Sequence, residues 1–279
     1  MSNLTVIDGH NYLFRAFYGV PEAAQTKSGI QVNAVYGFFA FIRQIVAAYP
    51  QNKLFVVFDS ETGIEDKLEI KTEYKAERPV NTDMFKQLPY IKQILDLMNI
   101  KWIEHPSFEA DDIIASIATH WSEKVGTCYI SSNDFDFVQM VSDKIVLLRA
   151  AQGKLINCDD AFIRQKFNIQ ATQYVEYLSL VGDKSDNIAG VPGIGKKTAS
   201  DLLNKYGNLD TVYIKLGELA GGLRKKLTLG QNIVYKNRDF IKMRHQIPLA
   251  QILPDVLLET NTTLIQQKIA IYLDKIGVI

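Results

Sequence analysis

The sequence predicts an α/β fold, a mostly parallel central sheet flanked by helices, with a helical region after it. Three observations carry this. Residues 4–7 and 54–58 are apolar runs of strand length without polar alternation, which suits parallel strands covered on both faces. Such runs alternate with stretches of helical periodicity, the pattern of βαβ units. Beyond about residue 160 the strand-like runs stop, and helical segments are separated by Gly/Pro turns.

Taken in order, residues 4–7 form a short buried strand that Asp8-Gly9 ends. An apolar-rich segment (12–18) and a Gly/Ser/Lys loop around Lys27-Ser28-Gly29 follow. Residues 35–48 place Phe38, Phe39, Ile42, Ile45 and Val46 on one helical side. Residues 54–58 are the second strand, ended by Asp59-Ser60. From 61 to 83 the chain turns charged and poor in large aliphatics, as a loop or solvated helix outside the core would be. Helical spacing returns over 84–98, and 101–103, 127–132 and 144–148 read as three more strands. In the second half helical segments alternate with Gly/Pro turns over 174–181, 182–187, 191–195 and 197–206. The expected division is 1–165, 166–250 and a tail at 251–279 with an apolar helix-like stretch over 264–273.

Composition narrows the class. Of 279 residues 47% are hydrophobic, ample for a core, and Lys+Arg and Asp+Glu are both 31, so net charge names no partner. Cys128 and Cys158 have no metal-ligand spacing and are expected as reduced core thiols of a cytoplasmic protein. No apolar run approaches membrane-spanning length, and no secretory leader is expected.

Carboxylates are where the sequence is most specific. Glu109, Asp111 and Asp112 stand at the mouth of a helix whose next residues, 113–118, are fit for a core. One acid there is ordinary, because Asp caps helices and the macrodipole favours negative charge. Three repel one another by about 4 kcal/mol per close pair at intermediate dielectric, so either they fan into water or a cation holds them. Asp8, Asp59 and the pair Asp134/Asp136 also follow strands, and in open α/β sheets sites form beyond the strands' carboxyl ends. Asp183 and Asp186 come from the helical part. Any one could be a turn residue or cap. Together they make an all-oxygen donor set suited to Mg²⁺ or Mn²⁺, expected to gather tightly around two ions that clamp a phosphodiester displacement.

Residues 190–199 first look like a P-loop. Gly190 to Lys196 has the G-x-x-x-x-G-K spacing, but Lys197 stands where Ser/Thr should bind Mg²⁺, and Pro192 interrupts the loop. A helix–hairpin–helix turn fits better: Gly193 and Gly195 let backbone N–H groups approach a phosphate, Lys196 and Lys197 add charge, and Gly207 caps the helix that follows. From Gly193 to Arg244 eleven Lys/Arg face four acids, so a neutral chain carries a locally basic region suited to a nucleic-acid backbone.

With both halves in view the chain resembles the 5′-to-3′ exonuclease and flap endonuclease family, like the N-terminal 5′ nuclease domain of bacterial DNA polymerase I but without a polymerase. The matching pieces are Ile7-Asp8-Gly9, Phe14-Arg15-Ala16-Phe17, Asn33 to Phe38, Val57-Phe58-Asp59, Glu73-Tyr74-Lys75-Ala76 with Arg78-Pro79, Glu109-Ala110-Asp111-Asp112, Asp134 and Asp136 before Gln139, Gly182-Asp183 through Asn187, and Gly190 through Ala199. The resemblance implies a PIN-like sheet domain with a helix–hairpin–helix (H3TH) region. It implies one metal site from Asp8, Asp59, Glu109, Asp111 and Asp112, and a second from Asp134, Asp136, Asp183 and Asp186. Tyr74, Lys75 and Arg78 would belong to an arch near the scissile phosphate, and Arg15 with Gly193, Gly195, Lys196 and Lys197 would contact DNA. A K⁺ held by carbonyls of the Gly193 to Lys197 hairpin would bridge to phosphate.

The implied activity is a Mg²⁺-dependent, structure-selective 5′ nuclease acting as a monomer on DNA with a 5′ flap, nick, gap or end, and on RNA–DNA primers, in replication and repair at the bacterial nucleoid. A catalytically weak branched-DNA-binding protein and a PIN-type ribonuclease are the alternatives. Phe135 stands where the family usually has Lys, Asn133 where it has Gly, and Asp66-Lys67 also departs from its pattern.

Overall fold

A computed structural model of the chain describes residues 2–22, 24–26, 29–60, 82–249 and 271. The segment 61–81, with Tyr74, Lys75 and Arg78, and nearly all of the tail from 250 lie outside the described residues.

Strands β1 (Leu4–Asp8), β2 (Lys53–Asp59), β3 (Lys101–His105), β4 (Cys128–Ser131), β5 (Ile145–Ala151) and β6 (Lys154–Cys158) form one sheet in the order β3-β2-β1-β4-β5-β6. The first five are parallel, and β6 returns antiparallel along β5. The unbroken apolar runs have the cause expected of them. Leu4, Val6, Phe55 and Val57 pack on one side with Ile113, Ile114 and Ile117. Ile7, Leu54, Val56 and Phe58 pack on the other with Tyr12, Leu13, Phe38 and Phe39. Alternate residues of a strand point to opposite faces, so a strand apolar throughout needs cover on both.

Helices α1 (Gly9–Gly19) and α2 (Asn33–Ala48) cover the second face, and α3 (Leu88–Leu97) joins them. Helix α4 (Ala110–Lys124) covers the first. The apolar segment at 12–18 is therefore a helix, started by Asp8, whose Oδ1 accepts from the Asn11 N–H at 3.0 Å.

The helical half contains α5 (Asp160–Phe167), α6 (Tyr174–Val181), α7 (Lys196–Tyr206), α8 (Leu209–Ile214) and α9 (Gly221–Ile241). Its buried Tyr174, Leu180, Leu203, Leu227 and Val234 belong to the same apolar cluster as Ile130 and Phe137 of the sheet domain. Gly207 ends α7 at φ +84°, its N–H on the Leu203 carbonyl at 2.8 Å.

In the 182–187 stretch β7 (Gly182–Asp183) pairs antiparallel with β8 (Ile188–Ala189), a hairpin the sequence pattern does not show. The cause is close approach, because a Cβ on Gly182 would collide with the Gly190 N and the Ile188 carbonyl. The expected turn at 191–195 is closed by Ile194 N–H on the Val191 carbonyl at 3.0 Å. Strand β6 adds a sixth strand, through a turn at Gln152 and Gly153 with φ of +50° and +73°.

Candidate metal centre and nucleic-acid hairpin

The carboxyl ends of the parallel strands deliver acids to one edge of the sheet. Asp8 ends β1, is 6% exposed, and accepts from Ser132 Oγ at 2.7 Å besides capping α1. Its pKa is pushed up to about 7, first by burial and then by the negative charges of Asp59 and Asp134. Two neighbouring carboxylates opposing ionisation of a third mark a site where a cation would be welcome. Asp59 ends β2, and its Oδ1 accepts from the Ala110 N–H at 2.9 Å, the first turn of α4. Glu109 is the N-cap residue of α4 and 3% exposed.

Asp134 follows β4, caps the short helix Phe135–Met140 and accepts from the Asp136 N–H at 2.9 Å. Asp183 accepts from the N–H and the hydroxyl of Ser185. Burial and then the charges of Asp136, Asp183 and Asp134 push the Tyr174 phenol up, so these three acids share one neighbourhood. Asp111, Asp136, Asp183 and Asp186 line one open cleft with Leu178, Ile188 and Phe240.

The gathering is looser than the sequence suggests. Among the described residues no group of three or more His, Cys, Asp and Glu side chains stands close enough to hold an ion as arranged. Like charges repel, and Asp8, Asp59, Asp134 and Asp183 accept from local N–H and O–H donors instead. The donor set remains all oxygen, and with Asp8 raised by burial and then by the charges of Asp59 and Asp134 it fits a hard divalent cation.

Two of these residues are engaged within the fold. Asp112, expected as a ligand, is fully buried: Oδ1 accepts from the Arg244 N–H at 2.9 Å and Oδ2 from Arg244 Nε at 3.1 Å. It fastens the chain after α9 onto α4. Arg15, expected on DNA, donates from Nη2 to the Ala150 carbonyl at 2.9 Å and lies over the Phe41 ring, so it ties α1 to β5.

Other residues position the site without having been singled out. The Asp59 N–H donates to His10 Nδ1 at 2.9 Å. Nδ1 therefore carries no proton, and its 3.9 Å approach to Asp59 Oδ2 is not an ion pair. Ser132 binds both Asp8 and the Asp134 N–H. Gln139 spans the Asp136 carbonyl and the Met243 N–H, joining the short acidic helix to the end of α9. Asn133 pins the Ala150 amide and carbonyl. Phe135 packs on Phe167, with Arg149 stacked 3.6 Å from its ring centroid.

At the hairpin, Val191 and Ile194 are buried anchors, and Gly193, Gly195, Lys196 and Lys197 are exposed. Gly193 has φ +77°, and its carbonyl accepts from Lys226 Nζ at 3.1 Å. No described residue approaches the place of a Cβ on Gly195, the N-cap residue of α7.

With this geometry in hand, the family model described as "5'-3' exonuclease, N-terminal resolvase-like domain" matches residues 3–168, and that described as "5'-3' exonuclease, C-terminal SAM fold" matches 169–263. A 5'-3' exonuclease of Aquifex aeolicus is 34% identical over 213 residues, 76% of this chain and 72% of that protein. DNA polymerase I of Treponema pallidum is 34% identical over 255 residues, 90% of this chain but 26% of that protein. The chain thus spans only about a quarter of that polymerase. The solved T5 D15 protein, co-crystallised with metal ions, superposes with a TM-score of 0.70 at 20% identity, covering 95% of this chain and 99% of that one. The catalytic core of Rad2 with DNA substrate gives 0.57 at 17% identity, covering 98% and 89%. The last two likenesses are of fold. Resting on the two family models and the Aquifex relative, the chain belongs to the 5'-3' exonuclease family.

Proposed function

We propose that this chain is a Mg²⁺-dependent, structure-selective 5′ nuclease that hydrolyses DNA phosphodiesters near a 5′ end, flap, nick or gap, with Mn²⁺ able to substitute. The observation that carries the reading is the cleft at which Asp111 of α4, Asp136 of the short acidic helix, and Asp183 and Asp186 of the β7–β8 hairpin meet. Asp8, Asp59, Glu109 and Asp111 would hold one ion, and Asp134, Asp136, Asp183 and Asp186 a second. When bound, divalent ions supply charge withdrawal from the phosphodiester and an acidified water at neutral pH.

The chain's own residues do the rest. His10 and the Ala110 N–H fix the orientation of Asp59. Ser132 holds Asp8. Lys75 and Arg78, with Tyr74, would meet the developing negative charge of the phosphate. The hairpin would grip the duplex backbone, with the α7 N–H groups facing a phosphate past the open side of Gly195. These groups address phosphates, so little base specificity is expected. Solved proteins of this fold have been described with metal ions and with DNA substrate, which supports both ligands. Service in replication and repair, on RNA–DNA primers included, is part of the reading.

Asp111→Asn or Asp183→Asn should lower turnover on a 5′-flap substrate by at least about 100-fold, as expected for lost ion-mediated charge stabilisation, while duplex binding persists. Wild-type turnover in either variant, or equal cleavage in EDTA, overturns the proposal. Flap, gapped, blunt and single-stranded RNA substrates assayed in parallel separate it from a ribonuclease and from a silent DNA binder.

A further inference from the structure

We propose that Lys226 supplies, as a covalently attached ammonium, the positive charge that the family resemblance assigns to K⁺ at the Gly193 hairpin, so that duplex binding by this chain does not depend on K⁺. The inference rests on the reading of that hairpin as a phosphate-backbone contact.

Three features place the ammonium there. Gly193, at φ +77°, turns its carbonyl toward Lys226 Nζ, which donates to it at 3.1 Å. The lysine stem lies along the glycine: a Cβ on Gly193 would meet Nζ at 2.8 Å, Cε at 3.0 Å and Cδ at 3.4 Å. The helix carrying the lysine cannot slide away, because Gly230, one turn further on, is packed against Val191 of the hairpin. A Cβ on Gly230 would meet the Val191 methyl carbons at 2.7 and 2.8 Å, and Leu227 and Val234 beside it are buried. The missing side chains of Gly193 and Gly230 thus set Lys226 on the loop.

The chemistry then disfavours a second cation. K⁺ is held by several carbonyl oxygens that replace its water, and here the Gly193 oxygen already faces an ammonium. A second unit charge beside that ammonium would be repelled by it. An ammonium has three donors, and Lys226 is exposed. One group can therefore join the Gly193 carbonyl to a phosphate oxygen, the bridging role assigned to K⁺.

The test is fluorescence anisotropy of the full chain on a labelled duplex with a 5′ single-stranded end, in EDTA, with KCl and NaCl compared at equal ionic strength. Wild type should bind equally in the two salts. Lys226→Met, which keeps the stem, should bind about tenfold more weakly near 0.1 M salt and lose about one from the slope of log K against log salt. Lys226→Arg should retain most of the affinity. Tighter wild-type binding in KCl than in NaCl, or an unchanged Lys226→Met, overturns the inference. A Lys196→Ala/Lys197→Ala variant separates the two levels. If it weakens binding while Lys226→Met does not, only the ammonium assignment fails. If neither changes affinity, the hairpin reading fails with it.

Discussion

Asp8 couples fold and site through a single proton. Burial and the charges of Asp59 and Asp134 raise its carboxyl from 3.8 to about 7, so between those values the folded chain holds a proton that the unfolded chain has released. The contribution of this group to stability therefore falls as pH rises from roughly 4 to 7 and is flat on either side. In EDTA the protein should melt at a lower temperature at pH 8 than at pH 5, and Mg²⁺ should recover the difference at pH 8 but add little at pH 5. Calorimetry checks both signs, and a melting temperature that rises from pH 5 to 8 in EDTA refutes the buried-carboxyl account. His10 makes a second prediction at this scale. His10→Leu removes the acceptor for the Asp59 N–H and should weaken Mn²⁺ binding about 10–100-fold, the usual cost of losing a partner that orients a ligand. His10→Asn, which places an oxygen near the Nδ1 position, should restore most of it, as titration of the protein with Mn²⁺ by electron paramagnetic resonance would show. Asp8 and Asp59 were legible because each ends an apolar run. The partners His10 and Ser132 were not. The bonds that give them roles cross 49 and 124 residues of chain, and no periodicity records such pairings.

At the level of elements, hydrophobic spacing located what packs and missed what is set by close approach. Helix α2 follows its pattern because Phe38, Phe39, Ile42 and Ile45 are all buried. The segment 182–187 has no such pattern, and its conformation comes from Gly182 at φ +79° pressed against Gly190. Strand β6 escaped notice because it is a sheet edge whose Lys154, Ile156 and Asn157 are exposed. Gly182→Ala tests the hairpin. A Cβ there meets both a positive φ and backbone atoms, so the substitution should cost about 2 kcal/mol or more. It should also displace Asp183 and Asp186, so that urea denaturation and Mn²⁺ binding worsen together. Wild-type behaviour in both measurements would mean that the hairpin is not held by this glycine pair.

On the scale of the whole molecule, the family models meet at residues 168 and 169, yet the apolar cluster does not stop there. Val138 and Ile163 before the junction share it with Ile169, Tyr177 and Leu203 after it. The bond pair from Arg244 to Asp112 fastens the far end of the helical half to α4, which carries Asp111. One cooperative transition is therefore expected in calorimetry, with equal van't Hoff and calorimetric enthalpies. Two resolved transitions would show halves that melt independently. The predicted alternation of strands and helices, the acids at the strand ends and the glycine hairpin were legible because each leaves a local mark. The seam between the halves was not, since it is written in apolar residues indistinguishable from any other core.

That seam bears on how such proteins can be recombined. Cutting the chain at the junction would leave two raw greasy faces that clump before they could find each other. A chimera borrowing its second half from a cousin would have to match the first methyl for methyl, so these two pieces, modular on paper, are bound to diverge in step.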